Sequence, residues 1–276
     1  MSQIGRPPGE TSAFDHTSDP NFVHYYQEES LSPQTYQRFK TVRDKMLKLA
    51  KTSSLERSKF AVLDIGCGTG SQCHLWAELG HDVTGIDVNA ALIDIARSRA
   101  AESKLEMRFE VGSATRLPFE NETFDVCLLP ELLEHVEDWE SCLSEACRVL
   151  KPSGLLYLST TNLLCPVQQE FNLPLYSWYP GPLKHRYERL AVTTRPELAN
   201  YARYPAVHWF TFRQLAKFLK QRGLDCLDRF DMIDVSHLAG GARVVVTLAR
   251  WIPLARWFGQ VLTPTTILFA VKKSGG

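Results

Sequence analysis

The sequence carries no surplus charge of either sign. Its 31 Lys and Arg match its 31 Asp and Glu across 276 residues, for a formal net charge of zero with histidine neutral. Nor is there a basic block. The chain therefore lacks the usual means of neutralising a phosphate backbone, which argues against a nucleic-acid partner. It also lacks a Cys-x-x-Cys pair: the seven cysteines stand at 67, 73, 127, 142, 147, 165 and 226. Most lie in apolar or motif contexts, which suits reduced thiols of a cytoplasmic protein rather than a disulfide frame. No apolar run follows a basic start, so no secretory signal is expected. What is present is an ordinary globular composition, 44% apolar, at a length that suits one α/β domain with insertions.

Ala61-Val-Leu-Asp-Ile65 is a short apolar run with one acid near its end, the pattern of a buried strand. Gly66, Gly68 and Gly70 follow as G-x-G-x-G, and Ser71 to Leu79 reads as a helix with Leu75, Trp76 and Leu79 inward. Glycines there permit a tight turn and let a ligand approach the backbone. A glycine loop between a strand and a helix is a common cradle for an adenosine-containing cofactor. A second strand, Asp82 to Asp87, ends in an acid seventeen residues past Gly70. A carboxylate at that tip can accept from both ribose hydroxyls, as in nicotinamide-binding folds. Those folds carry G-x-G-x-x-G, however, and Asp64 just before the loop would repel a pyrophosphate. It suits instead a ligand with a cationic amino group, such as the methionine end of S-adenosylmethionine.

Val62-Leu-Asp-Ile-Gly-Cys-Gly-Thr-Gly70, Gly85-Ile-Asp87, Phe124-Asp-Val126 and Arg148-Val-Leu-Lys-Pro-Ser-Gly154 come in that order. Together they resemble the successive motifs of class I S-adenosylmethionine-dependent methyltransferases, over residues 60–160. The resemblance implies an α/β, Rossmann-like sheet of seven strands with helices on both faces. The last strand would run antiparallel between the fifth and sixth. It also implies a cofactor site of Asp64, Gly66, Cys67, Gly68, Gly70, Asp87, Val88, Ser113, Ala114, Pro130 and Glu131. Ser113 departs from the family, which often has an acid there to hold the adenine amino group; a hydroxyl accepts that bond more weakly. Pro130 opens the tip of the fourth strand, Phe124–Leu129, where ligands of open α/β sheets bind, and it can offer only its carbonyl.

Around this core (59–160) the chain divides by composition. Residues 1–20 are rich in Pro, Gly, Ser, Thr and Asp and read as a flexible tail. Residues 21–58 hold an aromatic cluster and a helix, Gln34–Lys51, with Phe39, Val42, Met46, Leu47 and Leu49 near helical spacing. In the family such a helix commonly covers the cofactor, which makes Tyr25, Tyr26, Arg38 and Arg43 lid candidates. The alternative is an amphipathic helix with a solvated basic face. Asn89 to Ala101 is a helix capped by Asn89, Leu105–Val111 the third strand, and Trp139–Leu150 a helix stopped by Lys151-Pro-Ser-Gly154, before a fifth strand at Leu155–Thr160.

Glu131-Leu-Leu-Glu-His135 follows the fourth strand. On a helix, Glu131, Glu134 and His135 would share one face and could bind a divalent metal. The pattern E-x-x-E-H-V resembles ubiquinone-pathway O-methyltransferases, which act on polyprenyl catechols and quinols. His135 could instead act as a metal-free general base, or simply shape the start of the helix.

Residues 161–208 form an insertion rich in prolines and rings: Phe171, Tyr176, Trp178, Tyr179, Tyr187, Tyr201, Tyr204 and His208. In this fold such an insertion walls an acceptor pocket, and rings suit a planar or greasy acceptor. Arg186, Arg189 and Arg195 could pair with an anionic group on it. The competing reading is that most rings glue the insertion to the core. Residues 209–276 return to the core, with a Thr211-capped helix Phe212–Arg222, a strand Leu224–Phe230 and a last strand Thr266–Lys272. Between those strands, residues 244–262 are nearly all apolar but broken by Arg250, Pro253 and Arg256. Two mid-span arginines make a poor membrane span, though Trp251 and Trp257 suit a helix lying on a bilayer, a second lid or a homodimer face.

A phenolic acceptor must lose a proton, so a histidine is the natural helper: His135 first, then His208 and His185. The Asn/Asp-Pro-Pro-Tyr/Phe motif of nucleic-acid and protein methylases is absent, and the strand tip reads Leu-Pro-Glu-Leu. The expectation is a methyltransferase for a small molecule: a hydroxyl of an aromatic, quinol-like or lipid-like compound. Alternatives are N- or C-methylation of a natural product or sugar, a cofactor-binding scaffold without a base, and a nicotinamide oxidoreductase.

Overall fold

Residues 23–24, 27–28, 30–53, 55, 57–168, 171–199, 206 and 208–274 are described by a computed structural model of the chain. The expected tail, Phe22, the lid candidates Tyr25 and Tyr26, and Tyr201 and Tyr204 lie outside the described residues. Helix α1 (Pro33–Thr52) is capped by Ser32 and precedes strand β1 (Ala61–Ile65). Then come α2 (Ser71–Ala77), β2 (Asp82–Asp87), α3 (Ala90–Ser103), β3 (Met107–Val111) and β4 (Phe124–Pro130). After a short 3-10 turn at Leu133–His135 the chain forms α4 (Trp139–Val149) and β5 (Leu150–Thr161). The insertion supplies α5 (Gly181–Thr193). Last are α6 (Phe212–Lys220), β6 (Leu224–Asp228), α7 (Gly240–Trp251), α8 (Pro253–Val261) and β7 (Thr265–Lys272).

The seven strands order as β3-β2-β1-β4-β5-β7-β6, with β7 antiparallel to both neighbours and the other pairings parallel. This is the expected topology. Parallel strands need crossover helices, which bury both faces of the sheet and require nearly continuous apolar strands. Alternation along each strand sorts the core into two layers. Val62, Val126, Leu128 and Tyr157 pack with Met46 of α1, Trp76 of α2 and Ile93 of α3. Leu63, Ile65, Cys127 and Leu129 pack on the opposite face with Leu143 of α4 and Leu215 and Leu219 of α6. Strand order reverses between β1 and β4, so the C-terminal ends of those two strands open the crevice where such sheets bind ligands.

Three local expectations need correction. Helix α2 stops at Ala77, and Leu79 is 47% exposed rather than inward. Lys151-Pro-Ser-Gly154 does not merely stop α4; it lies inside β5, where the β4 pairing shifts register between Phe124 and Val126. Here Lys151 Nζ reaches Asp125 Oδ1 at 3.2 Å, and Arg148 donates to Glu145 and to the carbonyls of Leu117 and Phe119. That motif holds the sheet's far end. The apolar run 244–262 is two helices: Pro253, which cannot donate to a continuing helix, breaks it after Trp251.

Candidate active site

The glycine loop is stitched to the end of β2. Gly66 N and Cys67 N both donate to Ile86 O, at 2.8 and 3.1 Å. Gly68 N donates to Asp87 Oδ2 and Asn89 N to Asp87 Oδ1, each at 2.9 Å. A carboxylate has about four lone-pair positions, so it keeps acceptor capacity for a diol. Burial raises the Asp87 carboxyl, opposed by the backbone N–H groups of Asn89, Gly68 and Val88. Gly66 has φ +74°, and a Cβ there would lie 2.7 Å from Leu132 Cδ1. At Gly68, φ +52°, a Cβ would meet nothing within 4 Å, which marks the open side of the loop. Exposed Val88 stands beside Asp87. Gly112 N donates to Asp87 O at 2.9 Å, which brings the Ser113–Ala114 turn to the same place. Ser113 Oγ accepts from Thr115 N at 3.2 Å.

Asp64 lies beneath this loop, 1% exposed. Its Oδ2 accepts from the Cys73 thiol at 3.4 Å, while Oδ1 has no partner. Burial pushes its carboxyl up to about 7; the Cys73 bond opposes this and the Asp87 charge adds to it. A buried oxygen without a donor is costly in isolation. Gln72, 1% exposed in the first turn of α2, has both amide atoms unpaired, as is the Nδ2 of buried Asn89. Unmet polar groups this close to an open glycine loop fit a polar, cation-bearing ligand. Gln72 escaped sequence reasoning; its one signal was an amide at a position where the helix turns inward.

The N-terminal segment closes over the loop. Arg99 of α3 donates to Ser30 Oγ at 3.0 Å, Thr69 Oγ1 at 2.8 Å and Gln27 O at 2.9 Å. Ser71 Oγ donates to Ser30 O at 3.0 Å. Arg38 of α1 meets Glu131 Oε1 at 2.6 Å, so the cover also reaches the tip of β4. Arg43 is not a lid residue: it is buried, donating to Leu75 O at 3.1 Å and to Asp44. Arg99 gave no sequence signal, because its partners are 30 or more residues away.

The tip of β4 departs most from expectation. Glu131 has φ +51° and donates its N–H to Ser159 O at 2.8 Å, so 131–135 is not one helix. Glu134 is 3% exposed and accepts from Thr160 Oγ1 at 2.8 Å, whereas Glu131 turns out to Arg38. Glu131, Glu134 and His135 therefore do not converge, and no group of three or more His, Cys, Asp or Glu among the described residues is placed to hold a metal ion.

The polar tip of β5 gathers the neighbouring segments instead. Thr161 Oγ1 donates to His208 O at 2.8 Å, and His208 N donates to Glu134 O at 3.3 Å. His208 Nε2 lies 3.3 Å from Glu137 O. A carbonyl only accepts, so Nε2 is the donor in that contact. Half-buried His135 and His208 thus share the C-terminal end of β4 and β5. His185 does not join them: its side chain is 76% exposed on α5 and bonds Glu188 at 2.9 Å.

The insertion's rings mostly pack on one another. Phe171 and Tyr176 stack with centroids 4.1 Å apart, and Tyr179 and Trp209 flank Tyr176 at 5.6 and 5.7 Å. Lys184 sits over Tyr176 and Trp209. Trp178, 56% exposed, donates its indole N–H to Leu164 O at 2.9 Å.

A methyltransferase-domain family matches residues 63–158, the stretch from within β1 into β5 that carries the loop, Asp87 and Glu131. The ubiquinone biosynthesis O-methyltransferase of Brucella ovis is 37% identical over 141 residues, 49% of this chain and 54% of that protein. Its namesake from Bartonella tribocorum is 39% identical over 101 residues, 37% of this chain and 41% of that one. The chain spans about half the length, or less, of these curated relatives. Phosphoethanolamine N-methyltransferase 2 of Haemonchus contortus, in complex with S-adenosyl-L-methionine, aligns with a TM-score of 0.59 at 16% identity, over 98% of this chain and 62% of that one. A methyltransferase of Methanosarcina mazei gives 0.51 at 21% identity, over 82% and 98%. At those identities the likeness is one of fold.

The chain carries a class I S-adenosylmethionine-dependent methyltransferase domain. In this methyltransferase domain the Arg99 clamp roofs the glycine loop. Arg99→Ala is expected to raise the S-adenosylhomocysteine off-rate about tenfold, as two or three charge-assisted bonds are lost. Stopped-flow displacement measures this, and a normal off-rate in a destabilised variant would reduce Arg99 to a structural strut.

Proposed function

We propose that the chain moves a methyl group from S-adenosylmethionine to a hydroxyl of a small aromatic, quinol-like or lipid-like acceptor. The observation that carries the donor half is Asp87, fixed by the Gly68 and Asn89 amides with lone pairs to spare, above the unpaired oxygen of Asp64. When bound, the cofactor supplies an electrophilic methyl on a sulfonium, with a neutral thioether as leaving group. The chain's residues do the rest. Asp87 would hold the ribose diol. Asp64 would answer the cationic amino group. The glycine loop and the Arg99-held cover would exclude water and fix alignment.

Support for an oxygen acceptor comes from the two histidines at the strand tips, side chains of the type that takes a hydroxyl proton. The partial match to ubiquinone biosynthesis O-methyltransferases points the same way. A lipid-like acceptor also accounts for the apolar helices α7 and α8, which would bring the enzyme to the surface where such acceptors reside.

An acceptor panel of catechols, quinols and amines tests this. Transfer to hydroxyls is expected, and replacing both His135 and His208 by Gln should lower kcat about 10²- to 10⁴-fold with S-adenosylhomocysteine binding intact. Unchanged kcat would leave alignment alone as the means of catalysis. Transfer to amines only would move the assignment to nitrogen, and inactivity across the panel with intact binding would leave a scaffold.

A further inference from the structure

Helices α7 and α8 join β6 to β7 and lie at the ligand end of the sheet. Asn162, one residue past the tip of β5, donates its side-chain amide to Gln260 O and Thr263 O, both at 2.7 Å. The pair is anchored by its arginines. Arg256 Nε donates to Asp228 Oδ2 at 2.6 Å, and its Nη2 reaches Asp231. Gln260 Nε2 donates to the same Asp228 oxygen at 2.9 Å. Arg250 turns inward to the carbonyls of Phe230, Asp231 and Ile233. Gly259 packs so closely that a Cβ there would lie 2.4 Å from Phe230 Cζ.

The two charges that would spoil an apolar surface are therefore folded against the protein. What faces outward is apolar: Val245 62%, Trp251 81%, Leu254 64%, Trp257 47%, Phe258 52% and Leu262 75% exposed. Helix α8 has no buried residue at all. A surface this apolar on so short an element needs a partner.

Charge selects the partner. Residues 235–262, which hold both helices, carry no Asp or Glu, so no acid of their own opposes an anionic surface. Arg243 is exposed on the first turn of α7. Tryptophans with an apolar face and a nearby cation fit the headgroup boundary of a bilayer. The helices are too short to cross one, and no helix among the described residues is long and apolar enough to do so.

We propose that α7 and α8 form a monotopic docking face for an anionic lipid bilayer, seating Trp251, Leu254 and Trp257 among the headgroups beside the acceptor end of the sheet. The inference rests on the lipid-like acceptor read above for its purpose, but the surface is tested without turnover. The whole chain is sedimented with vesicles of phosphatidylglycerol and phosphatidylcholine, and with phosphatidylcholine alone. Binding is expected to the mixed vesicles, with a blue shift of tryptophan emission. W251E/L254E should weaken it by about tenfold or more, since each residue carries a large apolar side chain. R243E should weaken it less and only on the anionic vesicles. Unchanged thermal unfolding and S-adenosylhomocysteine binding show that the variants fold. Absence of vesicle binding by the unmodified chain, or equal binding to both vesicle types, overturns the proposal. So does a dimer dispersed by W251E/L254E without vesicle binding, which would assign the face to a second copy. Failure here leaves the donor site standing, and failure of S-adenosylhomocysteine binding leaves the docking face standing.

Discussion

Asp87→Ala is expected to abolish measurable S-adenosylhomocysteine binding, a loss of about 100-fold or more by calorimetry. Two effects add. The ligand loses charge-assisted bonds to its diol, each worth about 1.5–3 kcal/mol. The loop loses the anchor that Gly68 N and Asn89 N share, so the ligand must also order what the carboxylate ordered beforehand. Asp87→Asn separates them, because an amide oxygen can still accept one of those backbone bonds. It should fall between the parent and the alanine variant. Equal affinity in all three proteins would remove the donor-site assignment.

The second large effect is a pH dependence that runs in opposite directions for stability and for binding. The Asp64 carboxyl rises from 3.8 when unfolded to about 7 when folded. Between those values the folded state holds the extra proton, so stability falls as pH rises from about 4 to 7 and is level above. Asp64→Asn removes that titration. It should gain about 1–2 kcal/mol at pH 8, with no gain at pH 4, part of the one-unit-per-1.4 kcal/mol ceiling going to the new amide's own hydrogen-bond needs. Ligand binding should move the other way. A cationic amino group favours the ionised carboxylate, so affinity in the parent should climb with pH toward 7 and flatten beyond it, with one proton released on binding. The variant should bind weakly and show no such slope. Urea unfolding at two pH values and calorimetry in two buffers of different ionisation heat measure both. A parent whose stability is flat from pH 4 to 7 would place Asp64 outside this role.

The core was legible because its determinants are local. Ala61–Ile65 and Asp82–Asp87 occupy the strands their sequence predicts, and Asn89 and Thr211 cap the helices expected of them. The place of Asp87 at a strand tip is legible because it follows from strand periodicity. The 131–135 segment was misread because E-x-x-E-H has helical spacing, and nothing nearby announces that Glu131 takes a positive φ to reach Ser159 on β5. Arg99, Gln72 and the inward turn of Arg250 and Arg256 depend on partners brought in by the fold. Charge alone could not say whether an arginine faces water or a buried aspartate.

The insertion keeps a small core of its own, in which Phe171, Tyr176 and Ala191 are buried among one another's neighbours and not in the sheet layers. The seven strands complete their pairing without it. On the function proposed above, selection could exchange this cassette for another and alter which acceptor is admitted, while the sheet and its glycine loop stay untouched.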